Sequence, residues 1–294
     1  MTIKAAISFS GQPCTYQECI DTFINNLYDN TSKCFGHFWW DESYLNKCFK
    51  MHYNLKLNDK DIVNKLIDAF NIFQYKTEPY TKIDLTYVKK FNFDTWKETS
   101  LEYNKMMTPI LLYGVSSQLE SINKSIKLID KTQYDVIIRA RPDLIYMKDV
   151  RSIIKNLNFS SNTIFIQSSN TGGHLYGGEP MNEPCDWFYM GSPDVMVLFA
   201  EKLKTSFSDK FKNGVIHLRD FIKSVAKDNE IKLELINFGA VIYKQTSLFN
   251  DEFKNKIDVY TNDFDIESMT IKTPELWPYW IHNVDFEHFK NFNY

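Results

Sequence analysis

The stretch Tyr134-Asp-Val-Ile-Ile-Arg-Ala-Arg-Pro-Asp-Leu-Ile-Tyr146 says more about this chain than any other segment. It begins as a hydrophobic strand, places Arg139, Arg141 and Asp143 at alternate positions, and then becomes hydrophobic again. Because side chains two apart on a strand share a face, two guanidinium groups and a carboxylate are expected to project together from the end of a core strand. Charges at the edge of a core are costly unless they are paired or meet a ligand.

Two interpretations of these three charges follow. A phosphate group together with a divalent cation would satisfy all of them. An Arg–Asp ion pair at the strand end would satisfy two of them without any ligand. The spacing alone does not separate the two interpretations.

Length and charge limit the classes of protein to which the chain can belong. Its 294 residues suit one large domain or two small ones, and 44% of them are hydrophobic, which is enough for a substantial core. The net charge is only −3 and there is no basic block, so electrostatics do not support binding to nucleic acid or to an anionic membrane.

The cysteines and apolar runs indicate a soluble, cytoplasmic protein. The five cysteines include no C-x-x-C pair and lie mostly in or beside apolar runs, which is typical of reduced thiols in a cytosol-like compartment. The first apolar run is short and predicts a strand rather than a signal peptide. No segment approaches the roughly 18 uninterrupted apolar residues of a membrane helix, so we expect no transmembrane segment.

The pattern of apolar residues predicts one α/β domain over residues 1–294. In the first half, the predicted strands lie at 3–9, 35–40, 72–75 and 134–146, with helices near 20–27 and 62–70 and from Thr108-Pro109 onward. In the second half, the predicted strands lie at 163–167, 186–190 and 231–243, with helices from 192 and over 217–227. Alternation of strand and helix favours a mainly parallel central sheet with helices on both faces.

Open parallel sheets bind ligands beyond the carboxyl ends of their strands. By that rule the candidate residues are Ser10-Gly11-Gln12, Asp41, Glu78 and the charged group at Arg139. Gly11 would let backbone amides approach a phosphate or a ribose, although an ordinary strand–helix turn has the same sequence.

A glycine-rich segment, 170–180, holds four of the ten glycines and contains His174. Such a loop is either a hinged lid over a substrate or a solvated connection, and the sequence does not separate the two. Asp186 and Trp187 follow it at the head of an apolar strand. Asp186 could be a general base beside a sugar-stacking tryptophan, or a capping residue beside a core tryptophan.

The sequence lacks the motifs of several other enzyme classes. The six histidines do not form H-x-x-x-H or H-E-x-x-H, which disfavours a zinc hydrolase. There is no G-x-S-x-G segment and no cysteine with an evident histidine partner.

As a set, these residues resemble a family of polysaccharide-type glycosyltransferases with a GT-A-like fold, found in bacterial lipopolysaccharide and capsule loci and in large DNA viruses. The resemblance covers most of residues 1–200 in order and spacing. It rests on four segments: Ser10-Gly11-Gln12, Phe38-Trp39-Trp40-Asp41, Tyr134 to Asp143, and Asp186-Trp187-Phe188-Tyr189-Met190-Gly191.

The resemblance implies transfer of a sugar from a nucleotide diphosphate sugar to a glycan acceptor in polysaccharide biosynthesis. Residues 1–150 would bind the nucleotide sugar, and 151–294, with an aromatic C-terminal tail, would form the acceptor side. Asp186 would be the catalytic base, and His174 and Trp187 would belong to the acceptor side or the lid. The implied donor-binding residues are Ser10, Gly11, Gln12, Arg139, Arg141 and Asp143.

The resemblance also implies a metal ion, with one departure. In related enzymes a D-x-D motif holds Mn²⁺ or Mg²⁺ against the donor diphosphate, and Arg141-Pro142-Asp143 stands there in this chain. A guanidinium therefore replaces the first carboxylate and can itself neutralise a diphosphate. Asp143 is the one obvious metal ligand, and we expect a cation to stimulate activity without being strictly required.

Two alternative functions are compatible with the same pattern. A sugar-1-phosphate nucleotidyltransferase usually has a basic glycine-rich loop after its first strand, and the absence of Lys or Arg from residues 10–15 counts against it. A non-catalytic glycan-binding relative would suit the aromatic tail from Trp277 to Tyr294.

Overall fold

The computed structural model describes residues 3–11, 16–40, 61–79, 115–159, 162–168, 183–212 and 218–242, together with the short strands at 264–265 and 270–271. The strands are β1 (Ala5–Gly11), β2 (Lys33–Trp39), β3 (Ile72–Glu78), β4 (Val136–Ala140), β5 (Leu144–Tyr146), β6 (Thr163–Ser168), β7 (Pro184–Gly191), β8 (Lys232–Ile236), β9 (Ala240–Ile242), β10 (Phe264–Asp265) and β11 (Thr270–Ile271). The helices are α1 (Ile20–Asn26), α2 (Ile62–Ala69), α3 (115–126 in the described part), α4 (Val150–Lys155), α5 (Pro193–Lys212) and α6 (Leu218–Asp228).

A seven-stranded sheet in the order β3-β2-β1-β4-β7-β6-β8 forms the centre of the molecule. Neighbouring strands in this sheet pair in parallel except at β7, which is antiparallel to both β4 and β6. From β1 the chain builds outward to β2 and β3 and then returns to place β4 on the other side of β1. The direction of the strand order thus reverses between β1 and β4, and α/β sheets bind ligands at the carboxyl ends of such a strand pair.

Helices cover both faces of the sheet. Strand β1 shows the division, because Ile7 and Phe9 pack into one hydrophobic cluster and Ala6 into the other. The first cluster is closed by side chains of α1, α2 and α4, and the second by side chains of α3, α5 and α6. The predicted α/β class, with a mainly parallel sheet and helices on both faces, is confirmed.

Two of the predicted strands are each divided in the structure. The stretch 134–146 forms β4 and β5, separated by a turn at Pro142, whose ring nitrogen has no hydrogen to donate to a ladder. The stretch 231–243 forms β8 and β9, separated by Gly239 at φ +69°. Gln167 stabilises the segment between β8 and β9, since its Oε1 accepts hydrogen bonds from Phe238 N (3.0 Å) and Ala240 N (3.2 Å). Strands β5 and β9 pair with each other, outside the main sheet.

The remaining predicted elements are confirmed, with small shifts at their ends. Several sequence predictions fall outside the described residues: Gln12, Asp41, the start of α3 at Thr108, the loop 170–180 with His174, and the aromatic tail. Among the described residues, Cys19, Cys34 and Cys185 are buried. No helix in the described part is long and apolar enough to cross a membrane.

Candidate functional site

The carboxyl ends of β1 and β4 bring polar side chains together on the face of the sheet that α3 covers. Ser8, Arg139 and Tyr189 occupy directly opposed positions on β1, β4 and β7. Ser8 Oγ lies 2.7 Å from Ser125 Oγ of α3, which identifies the face. Ser10 is two residues further along β1, so it lies on the same face, closer to the carboxyl end. Ser10 and Arg139, both predicted from the sequence, therefore lie together.

Arg139 is fully buried, and only part of its guanidinium group is bonded. Its Nη1 donates to the main-chain oxygen of Asp186 at 2.7 Å. Within the described part of the chain, its Nε and Nη2 have no hydrogen-bond partner. These two atoms form the edge by which arginine binds a carboxylate or a phosphate through two parallel hydrogen bonds. We call it the open edge of Arg139.

The open edge has a real free-energy cost, because buried charged donors without acceptors are strongly disfavoured. Burial lowers the pKa of Arg139, while Tyr189 and Asp186 act in the opposite direction. An arginine side chain nevertheless stays protonated in proteins. The site thus keeps a positive charge in an interior where an anion would interact with it strongly.

Two buried hydroxyl groups share this face with the open edge. Ser10 is 2% exposed and Tyr189 is 1% exposed. Neither hydroxyl has a hydrogen-bond partner among the residues that the structure describes. The Arg139 Cζ lies 5.8 Å from the centroid of the Tyr189 ring. Burial raises the pKa of Tyr189 to about 12, so its hydroxyl is a donor at neutral pH.

Arg141 uses the same edge quite differently. Its Nε donates to Asp143 Oδ1 at 2.8 Å and its Nη2 to Asp143 Oδ2 at 2.7 Å. The Asp143 side chain is 1% exposed, whereas that of Arg141 is 24% exposed. The ion-pair interpretation therefore describes these two residues, and the carboxylate is buried behind the guanidinium.

This arrangement does not fit a divalent cation. In the described ranges, no three His, Cys, Asp or Glu side chains form a group that could hold a metal ion. Mg²⁺ demands near-octahedral oxygen ligands, and both Asp143 oxygens already accept from Arg141. We therefore derive no catalytic step through a metal ion.

Asp186 reaches the same edge of the sheet because β7 runs antiparallel to β4. Its main-chain oxygen binds Arg139, and its carboxylate accepts a hydrogen bond from Gln118 Nε2 of α3. Trp187 is the next residue, and its face is given by its contacts, because β7 is irregular here. It packs against the first hydrophobic cluster, and its Nε1 donates to Ala240 O at 3.1 Å. Asp186 therefore lies beside Arg139, and the sugar-stacking role of Trp187 stays a prediction.

Gly11 is built into the end of β1 rather than free for a ligand. Its φ of +118° is a conformation that side chains other than glycine rarely adopt. Its amide donates to Ser121 Oγ of α3 at 2.9 Å. The amide of Gly11 itself is thus satisfied within the protein.

Glu78, a candidate from the sequence, forms a buried polar seam between the sheet and α3 with His37 and Ser121, which the sequence did not predict. His37 Nδ1 lies 2.9 Å from Ser121 Oγ, and His37 Nε2 lies 3.3 Å from Glu78 Oε2. The order acid–histidine–serine is that of a hydrolase triad. However, Ser121 Oγ accepts from Gly11 N and donates to the main-chain oxygen of His37, so this hydroxyl is already bonded within the protein.

Charges around the seam set its protonation. Burial lowers the pKa of His37 to about 4, although the bond to Glu78 favours the charged form. Burial alone would raise the pKa of Glu78, but hydrogen bonds from Lys124, Lys76 and His37 outweigh it and bring that pKa to about 2. Serines spaced by four residues on α3 (Ser117, Ser121 and Ser125) were the signal in the sequence that such a seam exists.

Comparisons with known proteins give a fold likeness only. No protein-family model matches the sequence, and no curated protein matches it significantly. Among solved structures, the chain is similar to mouse xyloside xylosyltransferase 1 in its apo form, with 11% identity and a TM-score of 0.39, over 80% of this chain and 84% of that one. At that identity and TM-score, the likeness assigns neither an activity nor a substrate.

Proposed function

We propose that this protein is a glycosyltransferase that moves a sugar from a nucleotide diphosphate sugar to a glycan acceptor. The observation that carries the proposal is the open edge of Arg139, a buried cation with two unbonded N–H groups at the carboxyl ends of β1 and β4. A phosphate of the donor would accept both hydrogen bonds at once.

The charge suits the chemistry of the reaction. When the bond between the sugar and the diphosphate breaks, negative charge grows on the leaving diphosphate. A cation fixed in a low-dielectric site before the reaction stabilises that charge without reorganisation, and such stabilisation accounts for most of the rate enhancement in many enzymes. The hydroxyl of Ser10 is available as a further donor to the same group.

Asp186 is the proposed general base for an inverting reaction. It lies at the same edge of the sheet as Arg139, and its side chain is partly exposed, so an acceptor can reach it. The hydrogen bond from Gln118 Nε2 of α3 holds the Asp186 carboxylate at this edge of the sheet. The glycan acceptor, the role in polysaccharide biosynthesis and the bacterial or viral type of the family all belong to this proposal.

The test is a binding panel of UDP-, GDP- and dTDP-sugars followed by a transfer assay. A ligand at 100 times its Kd should stabilise the protein by about 2.7 kcal/mol in a thermal-shift measurement. The matched control is Arg151→Gln, which removes an arginine of α4 on the opposite face of the sheet and should leave binding unchanged.

The outcomes separate the alternatives. Transfer or slow donor hydrolysis supports a glycosyltransferase. Binding of a nucleotide sugar without any turnover, across a panel of acceptors, would instead indicate a non-catalytic glycan-binding relative. Formation of a nucleotide sugar from a sugar 1-phosphate and a nucleoside triphosphate would indicate a nucleotidyltransferase.

A further inference from the structure

We propose that guanidinium groups hold the donor diphosphate in place of a divalent cation, and that Asp143 is a positioning residue for Arg141 rather than a metal ligand. This inference rests on the proposed function and specifies its donor site. It accounts for the two arginines that flank Ala140 and for the serine and tyrosine hydroxyls beside them.

Arg141 is the charged group that a ligand meets first at the end of β4. Asp143 is 1% exposed, and Arg141, which binds both its carboxylate oxygens, is 24% exposed. A ligand that arrives from solvent therefore meets the guanidinium before the carboxylate. A metal ion would have to displace two charge-assisted hydrogen bonds to reach Asp143, whereas an anion would displace none of them.

The charge of Arg139 also disfavours a metal ion. A divalent cation is repelled by this buried guanidinium and cannot accept from its N–H groups. An anion with two oxygens can accept from Nε and Nη2 together, in the geometry by which Arg141 already binds Asp143 in this chain. The open edge therefore selects for an oxyanion.

Two hydroxyl groups on the same face of the sheet are further donors. Ser10 and Tyr189 each bring a buried hydroxyl without a partner in the described part of the chain. A hydroxyl is a hydrogen-bond donor as well as an acceptor, so it suits phosphate oxygens that Arg139 does not bind. A cation and neutral donors together form a site for a diphosphate with no ion between protein and ligand.

The reaction balances without a metal. The bond between the sugar C1 and the diphosphate oxygen breaks, and its electron pair stays on that oxygen beside Arg139 and Arg141. The acceptor oxygen forms the new bond to C1, and its proton passes to the carboxylate of Asp186. The guanidinium groups carry the charge that grows on the leaving group.

The first test is calorimetric titration of inorganic pyrophosphate into the full chain, with EDTA and then with Mn²⁺. We expect binding in EDTA, and we expect Arg139→Gln to weaken it about tenfold or more, since each charge-assisted hydrogen bond contributes at least that factor. Arg151→Gln is the control and should bind pyrophosphate like the parent. Binding that requires Mn²⁺ would overturn the inference.

The second test is a double-mutant cycle of Asp143→Asn and Arg141→Gln. If Asp143 acts through Arg141, then Asp143→Asn weakens pyrophosphate binding equally in EDTA and in Mn²⁺. In the Arg141→Gln background, Asp143→Asn should then cause little further loss of pyrophosphate binding. If Asp143 were a metal ligand, Asp143→Asn would weaken only the binding measured in Mn²⁺. Additive losses of binding in the double variant would also contradict the positioning role. If Asp143→Asn does not fold, Arg141→Gln in the two buffers still decides whether the site needs a metal.

Failure of the inference and failure of the proposed function look different. Sugar transfer that occurs only with Mn²⁺ would leave the function standing and remove the metal-free site. Pyrophosphate binding in EDTA without transfer of any sugar would leave the anion site standing and remove the function.

Discussion

Arg139 and Arg141 are separated by one residue, yet the same edge of the guanidinium group is open in the first and filled in the second. Arg141 lies beyond the end of β4, where the turn at Pro142 brings Asp143 back to it. Arg139 lies within β4, opposite Ser8 and Tyr189, neither of which carries a negative charge. The difference between the two arginines therefore comes from their positions relative to the strand end.

The two arginines thus differ in one respect: the Nε and Nη2 edge of Arg141 is filled by Asp143, and that of Arg139 is open to a ligand. The pair formed by Arg141 and Asp143 is satisfied within the protein, so ligand binding changes little for Asp143. Arg139 has two donors that folding leaves unbonded. The hydrogen-bond free energy that these two donors do not gain on folding can be gained when a ligand binds. The open edge therefore indicates a ligand site.

The two faces of the sheet show a similar contrast. On the first face, Phe9, Phe23 and Phe70 pack together, with ring centroids 4.7 Å (Phe9–Phe70) and 4.8 Å (Phe23–Phe70) apart. On the second face, α3 brings serines and Lys124 against the carboxyl half of β1 and β2, and Gln118 against Asp186 of β7. The aromatic face gives stability, and the polar face positions the candidate site.

The largest expected effect is that of a substitution at Asp186, whose main-chain oxygen accepts a hydrogen bond from Arg139. A general base contributes about 10²–10⁴ in rate, so Asp186→Asn should lower kcat by that factor. Donor affinity should stay nearly unchanged, because the main-chain contact with Arg139 remains. The measurement is kcat together with donor Kd and Tm, and a near-normal kcat would remove Asp186 from the catalytic residues.

The next prediction compares the unfolding free energies of variants at Arg141 and Arg139. Arg141→Met leaves Asp143 buried without its partner and should cost about 3 kcal/mol of stability. Arg139→Met removes a buried, half-bonded cation and should leave stability unchanged or raise it. Urea unfolding of both variants measures this. Equal losses would mean that Arg139 has a structural partner after all.

A third prediction concerns pH and the seam of Glu78 and His37. Both have pKa values below their ordinary ones, so the unfolded chain binds more protons and stability falls on acidification. For His37 the loss occurs as pH falls from 6.5 through about 4, and for Glu78 from 4.5 through about 2. Glu78→Gln should reduce this loss of stability between pH 5 and pH 2 by about 3 kcal/mol, since one pKa unit corresponds to about 1.4 kcal/mol. Urea unfolding at several pH values tests it, and an unchanged dependence in Glu78→Gln would contradict it.

A fourth prediction compares the two arginines as ligands to the donor. Arg139→Ala and Arg141→Ala should each weaken nucleotide-sugar binding about tenfold or more, since both are proposed to contact phosphate. Titration calorimetry provides the Kd values, with Arg151→Ala as the control. Parent-like affinity in both variants would return the charged group to a purely structural role.

The smallest expected effect is that of chelation. With guanidinium groups at the diphosphate, EDTA should lower transfer only partly, by less than about tenfold, because the charge that a metal would supply is already present. A transfer assay in EDTA and in Mn²⁺ measures it. Complete loss that Mn²⁺ restores would indicate metal ligands beyond Asp143.

By itself the sequence determined which residues are apolar at strand and helix spacing, and hence most of the elements, the α/β class and the face of β4 on which Arg139 lies. It also picked out Arg139, Arg141, Asp143 and Asp186 as the residues worth examining. Local geometry suffices for this, because periodicity depends only on the chain's own neighbours.

Only the tertiary structure decided which arginine has an open edge and what surrounds it. The order of strands in space puts Tyr189 beside Arg139, and the antiparallel direction of β7 carries Asp186 to the carboxyl end of β4. The seam of Glu78, His37 and Ser121 likewise joins three distant segments. Alternation along a strand fixes a face but not the residues across it, and those residues decide whether a buried charge is paired or remains open to a ligand.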